Sequence, residues 1–382
     1  MIRTTFPRKL IVVILAIFLS VFFISILEVP FWEWRQKFKR PERSVPTNTL
    51  HPFEFFSREI LIDRLYPSDE GPVEGGPVSL LPSQGPELVW IRGFSVTPVT
   101  PDGKEKLSTE FLYYSNLDFS DYVTHRQIFG ENPIGTYRLF ALSQGQNQVE
   151  FPPGFGIPVM SNELLQWNVI PMNLSLKNQS LSLKFKFGLD YLKDSDLSAP
   201  LKPLVVTNAV VAKLLYGRDG YFGVEKPNEL IQEAESAPGV HALEGERYIL
   251  GDGKGRKFSL YWVVKPGRES DHTLATRFIN LPFDTTLHYA NAHLYPYAES
   301  LELKDLDTHQ IIFKGGASQA EKGVGLARTD HFSSAEGIPL YKDHNYDLIA
   351  TYNNPTSDDQ KAMATLFLYL LDKDFKRPAD RS

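Results

Sequence analysis

Residues 181–187 read LSLKFKF, with apolar side chains at Leu181, Leu183, Phe185 and Phe187 and polar side chains between them. Successive side chains of a strand point to opposite faces, so this alternation places one face against a core and the other in water. The stretch therefore predicts a half-buried strand of an antiparallel sheet.

The same short apolar runs continue from Leu88 to the end of the chain, most clearly at 301–304, 346–350 and 366–371. Turn-forming residues separate the runs, and the clearest are 101–103 (PDG), 177–179 (KNQ), 251–256 (GDGKGR) and 353–355 (NNP). Glycine, asparagine and proline at this spacing favour hairpins between short strands. Only residues 228–236, NELIQEAES, are typical of a helix, with Asn228 as its cap.

The pattern predicts an all-β protein with two tandem jelly-roll-like antiparallel β-sandwiches after an N-terminal transmembrane helix. A chain of 382 residues is too long for one ordinary core and suits two domains of roughly 130 to 150 residues. The predicted segments are an anchor at 1–28, a Pro/Gly-rich stalk at 29–87, a first β-sandwich at 88–215, a connector at 216–245 and a second β-sandwich at 246–376.

The anchor is the stretch 10–27, LIVVILAIFLSVFFISIL, which contains no charged residue. Its length of roughly 27 Å as a helix is enough to span a bilayer. Ile26 and Leu27 are large, which favours an uncleaved signal anchor over a cleaved signal peptide, although both lead to the same compartment. Basic residues lie on both sides of the segment, so the orientation signal is weak.

The composition of the chain narrows the classes of function that it can have. Hydrophobic residues make up 42% and aromatic residues 13% of the chain, enough to build folded cores. Residues 1–43 hold eight Lys or Arg against three Glu, so the remainder carries about −11 and is a poor partner for nucleic acid. The absence of cysteine excludes disulfides, thiolate metal sites and cysteine nucleophiles, and it suits an oxidising envelope compartment.

We expect a single-pass protein, most simply of a bacterial inner membrane, with its bulk periplasmic or extracellular.

Two stretches of the second predicted domain carry a family resemblance. They are 287–305, LHYANAHLYPYAESLELKD, and 337–370, GIPLYKDHNYDLIATYNNPTSDDQKAMATLFLYL. Together they resemble the C-terminal domain of the copper type II, ascorbate-dependent monooxygenases, which hydroxylate peptidyl-glycine or dopamine. The resemblance implies a His-x-His pair and a later Met as copper ligands, matched here by His293 and Met363. Tyr295 stands where the second His belongs.

The first predicted domain resembles the N-terminal domain of that family through residues 90–119. The resemblance implies a His-His pair where this chain has Tyr113 and Tyr114, and a third His near the place of Met172. The resemblance therefore implies that the first copper site is lost and that the second keeps two ligands of three. A degenerate member with a noncatalytic binding or structural role, acting with another envelope protein, is the leading hypothesis.

Several alternatives remain open. A single rebuilt copper site around His293 and Met363, with Tyr295 as a third candidate ligand, would make the protein a copper-dependent monooxygenase or oxidase. His288, His331 and His344 are further candidates for a third ligand, although His288 should face the other side of a continuous strand from His293. His293 as an ordinary strand residue and Met363 as core filling are equally compatible with the sequence. The cofactor prediction is accordingly none or one copper, and copper storage or delivery is a third option.

Overall fold

The computed structural model describes residues 49–66, 70–80, 85–130, 135–174, 180–216, 220–224, 249–321 and 324–378. The N-terminal half is defined here as the described residues up to 216, and the C-terminal half as those from 249. The strands of the N-terminal half are β1 (His51–Phe56), β2 (Ile60–Ile62), β3 (Glu74–Val78), β4 (Leu88–Val99), β5 (Leu112–Phe119), β6 (Arg138–Ser143), β7 (Gln148–Glu150), β8 (Phe155–Met160), β9 (Leu165–Pro171), β10 (Leu181–Lys193), β11 (Lys202–Val210) and β12 (Lys213–Tyr216).

The strands of the C-terminal half are β13 (Ile249–Gly251), β14 (Lys257–Ser259), β15 (Trp262–Val264), β16 (Gly267–Leu274), β17 (Thr285–Leu294), β18 (Ala298–Asp305), β19 (Ile311–Gln319), β20 (Leu326–Thr329), β21 (His331–Leu340), β22 (Tyr346–Asn354), β23 (Gln360–Ala362) and β24 (Ala364–Leu371). Helices are short: α1 (Tyr122–Phe129) and α2 (Thr276–Ile279), with 3-10 turns at Thr109–Phe111 and Asp194–Asp196. The prediction of an all-β fold is confirmed.

The stretch 181–187 forms the first part of β10, which pairs antiparallel with β1 and β4. Leu183, Phe185 and Phe187 are fully buried, as the alternation predicts. The segments 301–304, 346–350 and 366–371 fall within β18, β22 and β24. Residues 251–256 join the antiparallel strands β13 and β14, so the predicted hairpin is also confirmed.

One sheet of ten strands runs through both halves in the order β1-β10-β4-β8-β11-β24-β17-β21, with β2 beside β10 and β7 beside β4. Strand β11 joins the halves, because it pairs parallel with β8 and antiparallel with β24. A four-stranded sheet, β3-β9-β5-β6, belongs to the N-terminal half, and a five-stranded sheet, β16-β22-β18-β19-β20, belongs to the C-terminal half.

Strand β24 lies between two hydrophobic cores. Phe367 and Tyr369 point into a core built mainly from the N-terminal half, whereas Leu366, Leu368 and Leu370 point into the core of the C-terminal half. Both faces of the strand are therefore covered, which explains why it reads ATLFLYLL without polar alternation. This packing brings β17 and β24 beside the four-stranded sheet, and the Asn291 amide nitrogen donates to the Ala141 carbonyl at 3.0 Å.

Part of the predicted stalk belongs to the folded body instead. Residues 51–78 contribute β1, β2 and β3 to the sheets. Their prolines fit because Pro52 lies on β1 and Pro77 on β3, each of which pairs along one side only. A missing backbone N–H is tolerated on such an edge strand.

The anchor at 10–27, the helix at 228–236 and most of the connector lie outside the described residues. Within the part of the chain that the structure describes, none of the helices has both the length and the apolar character needed to cross a bilayer.

Candidate functional site

Four strands bring the predicted site residues together with Arg138, which was not predicted from the sequence. Tyr113 and Tyr114 lie on β5, Arg138 begins β6, and His293 lies near the end of β17. Met363 immediately precedes β24, where Thr365 pairs with His293 across the ladder. Cross-strand partners share a face of the sheet, so His293, Thr365 and Met363 point the same way.

These residues line a cavity of about 480 Å³ between the two halves, called here the central cavity. Its wall comes from both halves and is rich in aromatic and neutral polar side chains. The wall residues are Tyr113, Tyr114, Thr136, Tyr137, Arg138, Ile170, Asn208, Val210, Leu260, Tyr261, His293, Met363, Thr365 and Phe367.

The tyrosines that the resemblance aligns with copper ligands contact the second predicted site directly. The hydroxyls of Tyr113 and Tyr295 hydrogen-bond to each other. The Tyr114 ring stacks on the His293 ring with centroids 4.8 Å apart and planes 17° apart. Tyr113 meets His293 edge-on at 5.7 Å. The two predicted metal positions are thus merged into one aromatic cluster that spans the halves.

Arg138 holds this cluster from the N-terminal half. Its Nε donates to Asp118 at 2.9 Å, and its Nη1 donates to the Tyr114 hydroxyl. With the Asn116 amide oxygen turned toward the guanidinium, that oxygen accepts from Nη2 at 2.7 Å. Each of the three guanidinium nitrogens therefore has a hydrogen-bond partner in the N-terminal half.

Burial sets the protonation of these groups. Loss of water raises the pKa of Tyr114 to about 12, against the opposing effect of Arg138. Burial also raises the pKa of Asp118, while its hydrogen bond to Arg138 acts in the opposite direction. For Arg138 burial lowers the pKa, but Tyr114 and Asp118 outweigh it and the pKa is raised. The guanidinium is permanently charged and paired with Asp118.

His293 is neutral at physiological pH. Burial, with a smaller contribution from the positive charge of Arg138, lowers its pKa from 6.5 to about 3. The side chain is 4% exposed and packs against the rings of Tyr113, Tyr114 and Tyr295. Neither ring nitrogen hydrogen-bonds to any described residue, and the side chain lines the central cavity.

The three predicted metal ligands are not equivalent. His293 and Met363 share the central cavity, and the Thr365 hydroxyl donates to the Met363 sulfur at 3.3 Å. An imidazole and a thioether fit the soft ion copper(I). Tyr295 instead shares a hydroxyl–hydroxyl hydrogen bond with Tyr113, and both tyrosines line a separate cavity of about 210 Å³. A copper ion at this position would be held by His293 and Met363.

The other candidate histidines lie elsewhere. His288 occupies an irregularity between Leu287 and Tyr289 in β17, where its Nδ1 donates to the Ser334 carbonyl at 3.0 Å and its Nε2 lies 2.7 Å from the Thr286 hydroxyl. His331 is exposed and stacks on Tyr289 at 5.4 Å. Of the histidines that the structure describes, His293 alone lines the central cavity.

His344 belongs to an acidic cluster. Its Nδ1 lies 2.7 Å from Asp305 Oδ2, and ligand atoms of Asp305, Asp307 and His344 lie within 4.8 Å of one another. Backbone N–H groups already occupy the carboxylates, with Thr308 donating to Asp305 and Asn345 to Asp307. The suggestions that His288, His331 or His344 complete a site at His293 are therefore not supported by their positions.

Sequence reasoning missed Arg138, Asn208 and Tyr261. No motif surrounds them, and each reaches the central cavity only through strand pairing and the packing of the halves. Asn208, for example, faces Phe367 across β11 and β24. A polar side chain inside the apolar strand LVVTNAV was the one local signal that could have marked it.

No protein-family model and no curated protein matches this chain. Among solved structures it is similar to a peptide-N(4)-(N-acetyl-β-D-glucosaminyl)asparagine amidase, with 11% identity over 86% of this chain and 98% of that chain and a TM-score of 0.31. It is also similar to the mavirus major capsid protein, with 10% identity, coverage of 88% and 93%, and a TM-score of 0.22. Scores this low say nothing about the activity of this chain.

Proposed function

We propose that this chain is a noncatalytic binding protein of the cell envelope, with its ligand site in the central cavity. The observation that carries the proposal is the neutral wall of that cavity. Of the described residues that line it, Arg138 alone is charged, and Asp118 pairs with it at 2.9 Å. Catalysis by acid–base chemistry or by metals relies on several titratable or ligating groups, whereas an aromatic wall with a few polar groups suits ligand binding.

The cellular setting follows from the sequence. The apolar segment 10–27 anchors the chain in a membrane, and the acidic, cysteine-free body faces an oxidising compartment, the periplasm or the cell exterior. The body consists of two tandem jelly-roll-like β-sandwiches related to the copper monooxygenase fold. The two hydrophobic cores, one for each half, support this arrangement. A neighbouring envelope protein is the partner that would exchange or use the ligand.

A screen by thermal shift tests the binding role. Purified 382-residue protein in detergent is heated with amino acids, sugars, phenols and carboxylic acids, alongside two variants. Val210→Phe puts bulk into the central cavity, and Val263→Phe places the same change on a half-buried strand outside it. We expect compounds that raise the Tm of the wild type and Val263→Phe but not of Val210→Phe. If no compound separates the two variants, the cavity is not a binding site.

A second candidate is a copper-dependent monooxygenase or oxidase. The observation that favours it is the neutral, unbonded imidazole of His293 beside the Met363 thioether in one cavity. Copper held there would supply one-electron redox chemistry. This candidate predicts ascorbate-dependent oxygen uptake by copper-loaded protein that His293→Ala abolishes, whereas the noncatalytic role predicts uptake no greater than that of the variant.

A further inference from the structure

We infer that the central cavity binds a neutral sugar, an inference that rests on the proposed binding function and names its ligand class. Three features of the wall lead to this inference: the pairing of its one charged side chain, the neutral polar groups of Asn208 and His293 that hydrogen-bond to no described residue, and the partly exposed ring of Tyr137.

The first feature excludes a charged ligand. An anion or cation that leaves water for the cavity needs an opposite charge to offset the loss of its hydration. The guanidinium of Arg138 is already engaged by Asp118, Tyr114 and Asn116. A neutral ligand is therefore preferred.

The second feature requires a ligand with several hydrogen-bonding groups. The Asn208 amide hydrogen-bonds to no described residue, and it offers two donors and one acceptor to the cavity. His293 adds one donor and one acceptor on its two ring nitrogens. Paired donor and acceptor sites of this kind match hydroxyl groups, each of which donates once and accepts as well.

The third feature supplies a surface for the sugar ring. Tyr137 lines the cavity and is 54% exposed, and the Arg138 guanidinium lies over one face of its ring, 5.5 Å from the centroid, so a ligand would use the other face. Aromatic faces are electron-rich and attract positively polarised groups, which include the axial C–H bonds of a pyranose. In the inferred complex the pyranose packs on Tyr137 and its hydroxyls bond to Asn208 and His293, which line the same cavity.

Isothermal titration calorimetry on the purified 382-residue protein tests this. The probes are the methyl glycosides of glucose, galactose, mannose and N-acetylglucosamine, with glucuronate, phenol and indole for comparison. The variants are Tyr137→Leu and Asn208→Ala, and their matched controls are the exposed Tyr341→Leu and Asn353→Ala, which lie outside the cavity. We expect one neutral glycoside to bind one site per chain, about tenfold more weakly in each cavity variant, since one lost contact is worth roughly 1.4 kcal/mol. The affinity should not change with salt.

The other outcomes separate the two proposals. If glucuronate, phenol or indole binds in a manner sensitive to Tyr137→Leu or Asn208→Ala and no glycoside does, the sugar class is wrong and the binding function stands. If no probe binds but the thermal-shift screen yields a compound sensitive to Val210→Phe, the sugar class is likewise wrong. If neither experiment yields a ligand, both proposals are overturned.

Discussion

The hydroxyl of Tyr113 in the N-terminal half hydrogen-bonds to the hydroxyl of Tyr295, which lies 182 residues later in the C-terminal half. Both tyrosines line the smaller cavity of about 210 Å³, and Tyr113 also lines the central cavity. The hydrogen bond is a direct side-chain connection between the residues that stand at the two predicted metal positions.

A double-mutant cycle measures this connection. Tyr113→Phe and Tyr295→Phe each remove the hydrogen bond, so the double variant loses it only once. We expect the free energy of unfolding of the double variant to fall by less than the sum of the single changes, with a coupling of about 1 kcal/mol. Urea unfolding monitored by tyrosine and tryptophan fluorescence gives the values. Strict additivity would show that the two hydroxyls do not interact.

The ion pair between Arg138 and Asp118 stabilises the wall of the cavity. Their side chains are 19% and 11% exposed, so Arg138→Met leaves a mostly buried carboxylate without its partner. We expect a loss of about 3 kcal/mol in the free energy of unfolding. The exposed pair Arg268–Glu299 provides the control, because Arg268→Met should cost less than about 1 kcal/mol. Equal losses in the two variants would contradict the structural role of Arg138.

His293 makes the protein sensitive to acid. Its folded-state pKa of about 3 lies below the ordinary value of 6.5, so between these pH values the unfolded chain binds more protons. Stability therefore falls as pH decreases from 6.5 towards 3, by up to about 1.4 kcal/mol per pH unit. In His293→Gln we expect a shallower fall in urea midpoint between pH 6.5 and pH 4. The exposed His331→Gln should keep the wild-type slope, and a wild-type slope in His293→Gln would contradict the assignment.

Gly135 fixes the turn that precedes the cavity residue Thr136. Its φ is +96°, and an added Cβ would lie 2.6 Å from the Val206 carbonyl oxygen. We expect Gly135→Ala to lower the free energy of unfolding by at least about 2 kcal/mol through backbone strain and this clash. Gly154→Ala is the control, because Gly154 has φ +87° with open space around it and should show about 1 kcal/mol of strain alone. Equal effects at both sites would show that the Val206 contact gives way without cost.

The sequence predicted strands best where one face is solvated. Alternation identified β10 because its apolar residues face one core and its lysines face water. It could not show that β24 serves two cores, since a continuous apolar run reads alike in any fully buried strand. The prolines of 51–78 led to the prediction of a spacer. Proline is compatible with a strand at the edge of a sheet, and the sequence does not show which strands lie at edges.

The candidate site was predicted only in part. The family resemblance drew attention to Tyr113, Tyr114, His293, Tyr295 and Met363, and the structure brings all five into one neighbourhood. It gave no indication of Arg138 or Asn208, because their place in the wall follows from how β6 and β11 pack against β17 and β24. Contacts between distant strands leave no local pattern in a single sequence.

The proposed function makes the central cavity a ligand-binding site rather than a copper centre. Measuring the copper content of the protein distinguishes these two roles. The purified 382-residue chain and a His293→Ala, Met363→Ala variant are loaded with copper(I) under reducing conditions, dialysed, and analysed for copper per chain. We expect the copper content per chain of the wild type to be no higher than that of the variant. One tightly held copper per chain that disappears in the variant would contradict this expectation and restore the copper enzyme as the leading candidate.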